Sequence, residues 1–405
     1  MRVCHVCLSH PADDSRVFSR ECLSLAVAGY EVHLIARSDR TGAYRDHGVT
    51  VHPWPAFTSR AQRFLAAVRV AHQARAIGAD LYHVHEPELL APTLAAVGNR
   101  PVVWDAHEPY QEKVFERAWI PDRLKPAVST AWKVAERLLL RRCAAVVTVS
   151  DMMAAHFEPL HRRVCVLHNY SRLEILLIRA DPMPARRRNR CVFAGSLSRS
   201  NNIMGAIRAI SILKKRGLEI GLDLAGKFES PEFMNCVNDE IRALDIADRV
   251  TFHGLLSRQD ALRLQAQSGI GLTIELSNAG NKVGYPIKMF ELMALGVPLV
   301  YSDLPNFRAV AGEPQCGLAV DPDRLEQVAD AIARLAADQP LAVRLAAAGR
   351  AAIQQRFNWE LEESRLLSLY RDLIGAPDSR NRKSLYDGEP DEQRISHPGF
   401  GPTHR

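Results

Sequence analysis

The sequence predicts an α/β protein made of two Rossmann-like, doubly wound domains that face each other across a cleft. Three observations carry this prediction. Short apolar runs alternate with helix-period segments up to Val149, the alternation breaks between Ser171 and Arg190, and it then resumes as far as Tyr301. Parallel strands need long crossover connections, which helices supply, so this alternation marks parallel sheets covered on both faces. A broken and resumed alternation implies two such sheets, with ligands expected beyond the carboxyl ends of their strands.

The elements follow in order. Val3 to Leu8 reads as a buried strand. Phe18, Cys22, Leu25 and Ala26 then recur at helical spacing before Gly29, a residue suited to a helix C-cap. Strands are expected at Glu31–Ala36, Leu81–His85, Pro101–Trp104 and Ala145–Val149, with helices near Ser59–Ile77 and Pro121–Arg142. Asp181-Pro182-Met183-Pro184 and Arg186-Arg187-Arg188 read as a linker. Beyond it come strands at Cys191–Gly195, Glu219–Ala225, Val250–Phe252, Ile270–Ile274 and Pro298–Tyr301. Helices are expected at Ala206–Arg216, Gln259–Gln267 and Pro286–Leu295. The expected division is a first domain over 1–170, a linker over 171–190, a second domain over 191–356, a helix over 357–374 that crosses back, and a disordered, Gly- and Pro-containing tail over 375–405.

Composition narrows the function classes. In 405 residues, 47% are hydrophobic, enough for buried cores, and a formal charge of +6 is too mild to demand a nucleic-acid partner. The eight cysteines are scattered, which suits a reducing cytosol. Cys4 and Cys7 form a C-x-x-C inside a strand, where positions three apart point to opposite faces, so they read as core residues. Neither an apolar leader nor a bilayer-length apolar stretch is present, and the expected location is cytoplasmic.

Several chemistries are excluded. The first strand is followed by Ser9-His10-Pro11-Ala12-Asp13-Asp14 where a nicotinamide-binding chain would carry G-x-G-x-x-G. Gly221 to Lys227 nearly spells a P-loop, but Phe228 stands where the magnesium-binding hydroxyl belongs, and its interior reads as a strand. His83 and His85 lack the companions of a catalytic metal motif, so no metal site is expected. No other cofactor is expected either.

The most informative segment runs from Val283 to Pro298: a glycine-containing loop, then a short helix with Lys288 and Glu291 three apart on one face. Free N–H groups at such a helix start can meet a phosphate, Lys288 can add charge, and Glu291 can accept hydrogen bonds from a ribose diol. An ordinary surface ion pair is the other reading. This segment resembles the donor-site helix of retaining family-4 glycosyltransferases of the GT-B architecture. Three further stretches resemble the same family in the same order. They are Ser9 to Phe18, the pair Tyr82-His83-Val84-His85-Glu86-Pro87 and Trp104-Asp105-Ala106-His107-Glu108, and Phe193-Ala194-Gly195-Ser196-Leu197-Ser198. Together they span nearly all of the chain except the tail.

The resemblance implies transfer of a hexose from a nucleotide-diphosphate sugar, a co-substrate, to a hydroxyl of a glycan or polyprenyl-linked acceptor, with retention and without a metal ion. It implies surface or exopolysaccharide assembly as the setting. By resemblance Glu291 holds the donor ribose, while Gly195, Tyr285, Lys288 and Arg199 belong to the donor side. The family's first donor glutamate falls on Val283, and its two phosphate-binding cations fall on Ser196 and Asn201, which leaves Arg199 and Lys288 as the candidates to substitute. His107 matches the catalytic-centre histidine, a structural loop histidine being the alternative, and Glu108 would orient it or touch the acceptor. His10, Arg16 and Arg20 are assigned to the acceptor side, where a solvated face is an equal reading for the two arginines. Asn169 reads as structural.

Charge adds a lipid-facing possibility. Residues 59–75 carry Arg60, Arg63, Arg69 and Arg75 without an acid, together with Phe64, Leu65 and Val68, and residues 111–142 are also basic, with Trp119 and Trp132. Such helices can rest on anionic headgroups at the inner face of the cytoplasmic membrane, or simply pack their apolar stripe on the sheet. Two rivals remain: a non-catalytic GT-B subunit that binds a partner or nucleotide, and a nucleotide-sugar epimerase.

Overall fold

The computed structural model describes residues 1–57, 59–108, 110–117, 119–178, 188–277, 285 and 287–377. The expectations for Val283 and its neighbours, for most of the linker and for the tail beyond 377 lie outside the described residues.

The first domain holds eight strands: β1 Arg2–Pro11, β2 Glu31–Arg37, β3 Tyr44–Asp46, β4 Val49–Trp54, β5 Leu81–Val84, β6 Val102–Ala106, β7 Ala145–Thr148 and β8 Val164–Val166. Their order is β3-β4-β2-β1-β5-β6-β7-β8, parallel throughout except for the β3–β4 hairpin at the edge. The second domain holds β9 Arg190–Ala194, β10 Gly221–Ala225, β11 Val250–Gly254, β12 Ile270–Thr273, β13 Leu299–Ser302 and β14 Gly317–Val320. These run parallel in the order β11-β10-β9-β12-β13-β14. In both sheets the chain starts in the middle and winds outward in both directions. The switch points therefore fall at β1/β5 and β9/β12, where open α/β sheets form crevices for ligands.

Alternation along the strands builds two cores in the first domain. Cys4, Val6, Leu8, Tyr82, Val84 and Trp104 point to one side, under the helices Arg60–Ile77 and Pro87–Val97. Val3, Cys7, Val103 and Val147 point to the other, under the first helical segment and the last helix. Cys4 and Cys7 are thus separated by the sheet, and both are free thiols.

Local sequence sets the helix ends. The helix Arg60–Ile77 starts where the Ser59 side chain accepts from Gln62 N–H at 3.3 Å, and it stops at Gly78, whose φ of +68° a side chain would resist. The last helix, Trp359–Ile374, is capped by Asn358 and packs on the first domain, where Trp359 Nε1 donates to Ser24 Oγ at 2.9 Å. Two departures from the sequence reading have physical causes. The expected helix at Pro121–Arg142 shortens to Lys125–Leu140, behind a 3₁₀ turn at Asp122–Leu124, because Pro126 favours a first-turn position. The first helix begins as a π-helical turn, Val17–Cys22, before tightening into the α-helix Leu23–Ala28.

Candidate active site

The period of two along a strand brings the first-domain residues together. His5 on β1 pairs with His83 on β5, and His83 pairs with Val103 on β6. His85, two residues beyond His83, and Asp105, two beyond Val103, therefore share their face; His107 follows two residues further. The rings meet: His5 Nδ1 lies 3.0 Å from His85 Nε2, and His85 Nδ1 lies 3.2 Å from His107 Nε2. Tyr370 of the last helix reaches the same cluster, its hydroxyl 2.8 Å from His83 Nδ1 and 3.2 Å from His5 Nε2. Burial, then the charge of His85, pushes His5 and His83 well below the usual imidazole range, and burial pulls His85 down to about 4, so these three rings are neutral at physiological pH.

The π-helical turn closes this cluster from one side. A wider turn brings residues about four to five apart onto one face, and Arg16 and Glu21 both point inward. Arg16 was expected to face an acceptor; the structure buries it instead. Its Nε and Nη2 donate to Asp105 at 3.0–3.2 Å, and its Nη1 donates to Leu167 O and to Asn169 Oδ1. Asn169 is thus a structural partner. Burial alone would raise both acids. At Asp105 the charges of Arg16 and His107 outweigh it and hold the carboxyl well below its normal range, whereas Glu21 is pushed well above.

The loop after β1 is held by a residue that the sequence reading left without a role. Glu86 is buried and accepts from the N–H groups of Leu8, Ser9 and His10 and from Ser9 Oγ. This places His10 with its ring centroid 5.2 Å from that of His107 and its Nδ1 3.2 Å from Asp14 Oδ2. Burial would lower His10, but the Asp14 hydrogen bond and the nearby carboxylates of Glu86, Asp14 and Asp105 raise it. His107 is 16% exposed, with Nε2 3.3 Å from Asp105 Oδ2. Glu108, by contrast, is an exposed side chain 3.9 Å from Lys113 and 4.0 Å from Arg117.

On the facing domain a cavity of about 680 Å³ opens at the carboxyl ends of β9 and β10, lined by Gly195, Ser196, Lys227, Arg258 and Glu291 among others. Glycines form its floor: a Cβ on Gly226 would lie 1.7 Å from Gly195 O, and one on Gly195 would lie 3.2 Å from Lys288 Cδ. Glu291, in the helix Ile287–Leu295, is nearly buried and pairs with Arg258 at 3.0 Å. Lys288 sits beside Gly195, bridging to Glu275 at 2.8 Å and to Asn201 Oδ1 at 3.4 Å, and its Nζ lies 4.5 Å above the Phe193 ring.

Three donor-side expectations change, the first at Lys288, which Glu275 holds behind Gly195 and which does not line the cavity. Arg199 pairs with Glu229 and stacks on Phe233, lining a different depression with Arg208 and Asn202; it does not line the cavity that holds Glu291. Tyr285 packs against His168 and Phe290 at the seam between the domains and does not line that cavity. The cavity instead gains Lys227 and Arg258, which the sequence reading did not select. Lys227 ends the P-loop-like run, and Arg258 follows the N-cap Ser257; neither carried a signal beyond its charge.

A second cavity, about 420 Å³, adjoins the first at Arg258 and takes its other wall from Ser15, Ser19 and Arg20 of the first domain. Arg20 is 2% exposed, yet its Nη1 has no hydrogen-bond partner. Burial, then the charges of Arg258 and Arg16, pushes it down to about 10. Arg258 is paired with Glu291, so of the two cations on this wall it is Arg20 that keeps a buried N–H group without a partner.

Comparison with known proteins agrees with this geometry. Residues 15–170 match the family model described as Glycosyltransferase Family 4, and residues 177–352 match Glycosyl transferases group 1. A GDP-mannose:cellobiosyl-diphosphopolyprenol alpha-mannosyltransferase of Xanthomonas oryzae pv. oryzae is 23% identical over 74% of this chain and 76% of its own. A GDP-mannose-dependent alpha-(1-6)-phosphatidylinositol monomannoside mannosyltransferase of Mycobacterium tuberculosis is 29% identical, but the match spans only 31% of this chain and 33% of the relative. Among solved structures, a sucrose-phosphate synthase from Thermosynechococcus elongatus superposes with a TM-score of 0.74 at 17% identity, covering 93% of this chain and all of the other. WaaG, a glycosyltransferase involved in lipopolysaccharide biosynthesis, gives 0.66 at 15% identity over 91% of this chain and 99% of its own. Two glycosyltransferase domain models thus lie in order along the chain, on the double-sheet GT-B architecture that the solved structures share.

Proposed function

We propose that the protein transfers a hexose from a nucleotide-diphosphate sugar to a hydroxyl of a glycan or lipid-linked acceptor, with retention and without a metal at the reacting centre. The observation that carries this reading is the cationic seam. Arg20 and Arg258, from opposite domains, flank the point where the cavity holding Glu291 meets the cavity lined by the first domain. The leaving group is a diphosphate, so the groups that matter are those stabilising developing negative charge, and fixed cations in a narrow cleft do so effectively. Glu291 would accept from the ribose diol, the glycine floor would let the diphosphate approach the strand ends, and His107 would meet the sugar from the other wall. Assembly of a surface polysaccharide is the setting this reading favours, and the curated names of the relatives make GDP-mannose the first donor to try.

A thermal-shift panel of nucleoside diphosphates and their sugars tests the donor site. Binding to the folded state alone stabilises by about 2.7 kcal/mol at a hundredfold excess over Kd, or several degrees for domains of this size. One nucleotide class should give that shift, and Glu291→Ala should remove most of it. A panel without any shift would instead favour the non-catalytic subunit. The engagement of Arg199 with Glu229, together with Ser196 and Asn201 where cations are usual, is the observation on that side.

Peripheral membrane contact is part of the same proposal. No helix among the described residues is long and apolar enough to cross a membrane. Phe64 and Leu65 stand 62% and 67% exposed on the helix Arg60–Ile77, and Phe115 and Trp119 are half exposed elsewhere on this domain. Arg63, however, pairs with Glu88 and donates to Ser9 Oγ, so its charge serves the fold more than a lipid. The apolar pair should therefore decide: Phe64→Asp with Leu65→Asp should abolish sedimentation with anionic vesicles. Equal sedimentation of variant and parent would exclude this helix as the contact.

A further inference from the structure

We propose that His5, Glu21, His83 and His85 form a closed site for one divalent transition-metal ion, zinc by its donor set, which ties β1, β5 and the π-helical turn together beneath His107. The four side chains are fully buried, and one donor atom from each lies within 4.8 Å of those of the others. His5 Nδ1 is 3.0 Å from His85 Nε2, while Glu21 Oε2 is 3.6 Å from His5, 3.8 Å from His85 and 4.0 Å from His83. Tetrahedral donors at about 2.0–2.1 Å from a metal stand about 3.3–3.4 Å apart, so an ion would draw inward donors that now lie within 4.8 Å of one another. Three imidazoles and one carboxylate suit zinc, and a closed shell suits a structural rather than a catalytic ion.

Two independent features favour an ion over a hydrogen-bonded cluster. First, hydrogen bonding leaves unmet demand: Glu21 Oε1 has the Arg16 ion pair at 3.1 Å, but Glu21 Oε2, which faces the three imidazoles, has no hydrogen-bond partner in a place water does not reach. Buried polar atoms normally find partners, and an unpartnered carboxylate oxygen facing three imidazoles calls for an acceptor of its lone pairs. Second, the outer atoms are already arranged as a metal's supporting shell. The Tyr370 hydroxyl lies 3.2 Å from His5 Nε2, and Asp105 lies 3.5 Å from His85 Nδ1, while His83 would exchange the 2.8 Å contact of its Nδ1 with that hydroxyl for the ion. Ligating histidines usually have their second ring nitrogen fixed in this way. Charge agrees as well: Arg16 is paired with both Glu21 and Asp105, one cation to two acids. An ion on His85 Nε2 would fix its proton on Nδ1, toward Asp105 and His107, and so set the ring that faces the cleft. This inference does not depend on the proposed transfer activity.

The test is elemental analysis of the full-length chain purified without a metal-binding tag. The expected result is about one equivalent of zinc per chain that survives dialysis against EDTA, because the site is closed. The ion should be lost on unfolding in EDTA and regained on refolding with Zn(II). Refolding with Co(II) should give the visible absorption of a tetrahedral ion, and X-ray absorption at the zinc edge should show only nitrogen and oxygen neighbours. His83→Gln should lose the metal, whereas His33→Gln, at the half-buried pair with His52, should keep it. Stoichiometric metal absent from the parent protein, both as purified and after refolding with Zn(II) or Co(II), would overturn the proposal whatever the variants do; so would metal retained in a folded His83→Gln.

Discussion

Arg16→Met is expected to destabilise the protein by about 3–5 kcal/mol, the usual loss when one partner of a buried ion cluster is removed. Arg16 is the cation that Asp105 and Glu21 share, and its Nη1 also closes the end of β8 onto the first helical segment through Leu167 O and Asn169. Methionine fills a similar volume, so the deficit would reflect uncompensated charge and lost hydrogen bonds more than a void. Arg16→Lys should recover only part of it, since one ammonium cannot reach Asp105 and Asn169 together with a planar fork's geometry. Urea unfolding of the three proteins measures this directly. A loss below about 1 kcal/mol for the methionine variant would show that the cluster tolerates an unpaired acid and that its burial is less complete than the geometry states.

The second large effect is on turnover. His107→Ala should lower kcat on the order of a hundredfold, the scale of losing one positioned polar group from a transition state, while the nucleotide-induced thermal shift stays intact. The reason lies in how the ring is held: Nε2 is engaged by Asp105 and His85, which leaves Nδ1 as the nitrogen available for substrate. Glu108→Gln should cost far less, because that carboxylate is exposed and only distantly paired. The two variants separate a role in transfer from a role in binding. Unchanged turnover in His107→Ala, with the protein folded, would move the reacting centre away from β6.

The fold class was legible because it depends on periodicity, and periodicity is local. The apolar runs at Val3–Leu8, Ala145–Val149, Cys191–Gly195 and Ile270–Ile274 are strands of parallel sheets because a strand buried on both faces has no polar side to show. The β3–β4 hairpin was not read, because Tyr44–Asp46 is three residues of edge strand without an apolar signature. The donor side was legible only in part. Glu291 and Gly195 line the cavity, but Arg199 lies close in sequence to the expected position and turns toward Glu229 and Phe233. The direction of an exposed, flexible side chain is settled by its neighbours in space, which sequence spacing does not reveal. Lys227 and Arg258 were missed for the same reason in reverse.

By itself, then, the sequence determined the alternation that makes two parallel sheets, the caps that end their helices, and the placing of His83, His85, Asp105 and His107 at alternate positions that a strand must turn to one face. It did not determine which strands adjoin. That β1 lies between β2 and β5 decides that His5 pairs with His83, and that the last helix crosses back decides that Tyr370 meets both. Likewise only the facing of the two domains brings Arg20 beside Arg258. Each of these contacts joins residues far apart in the chain, and each is fixed by burial of apolar faces elsewhere: the buried site is a consequence of packing that its own residues do not encode.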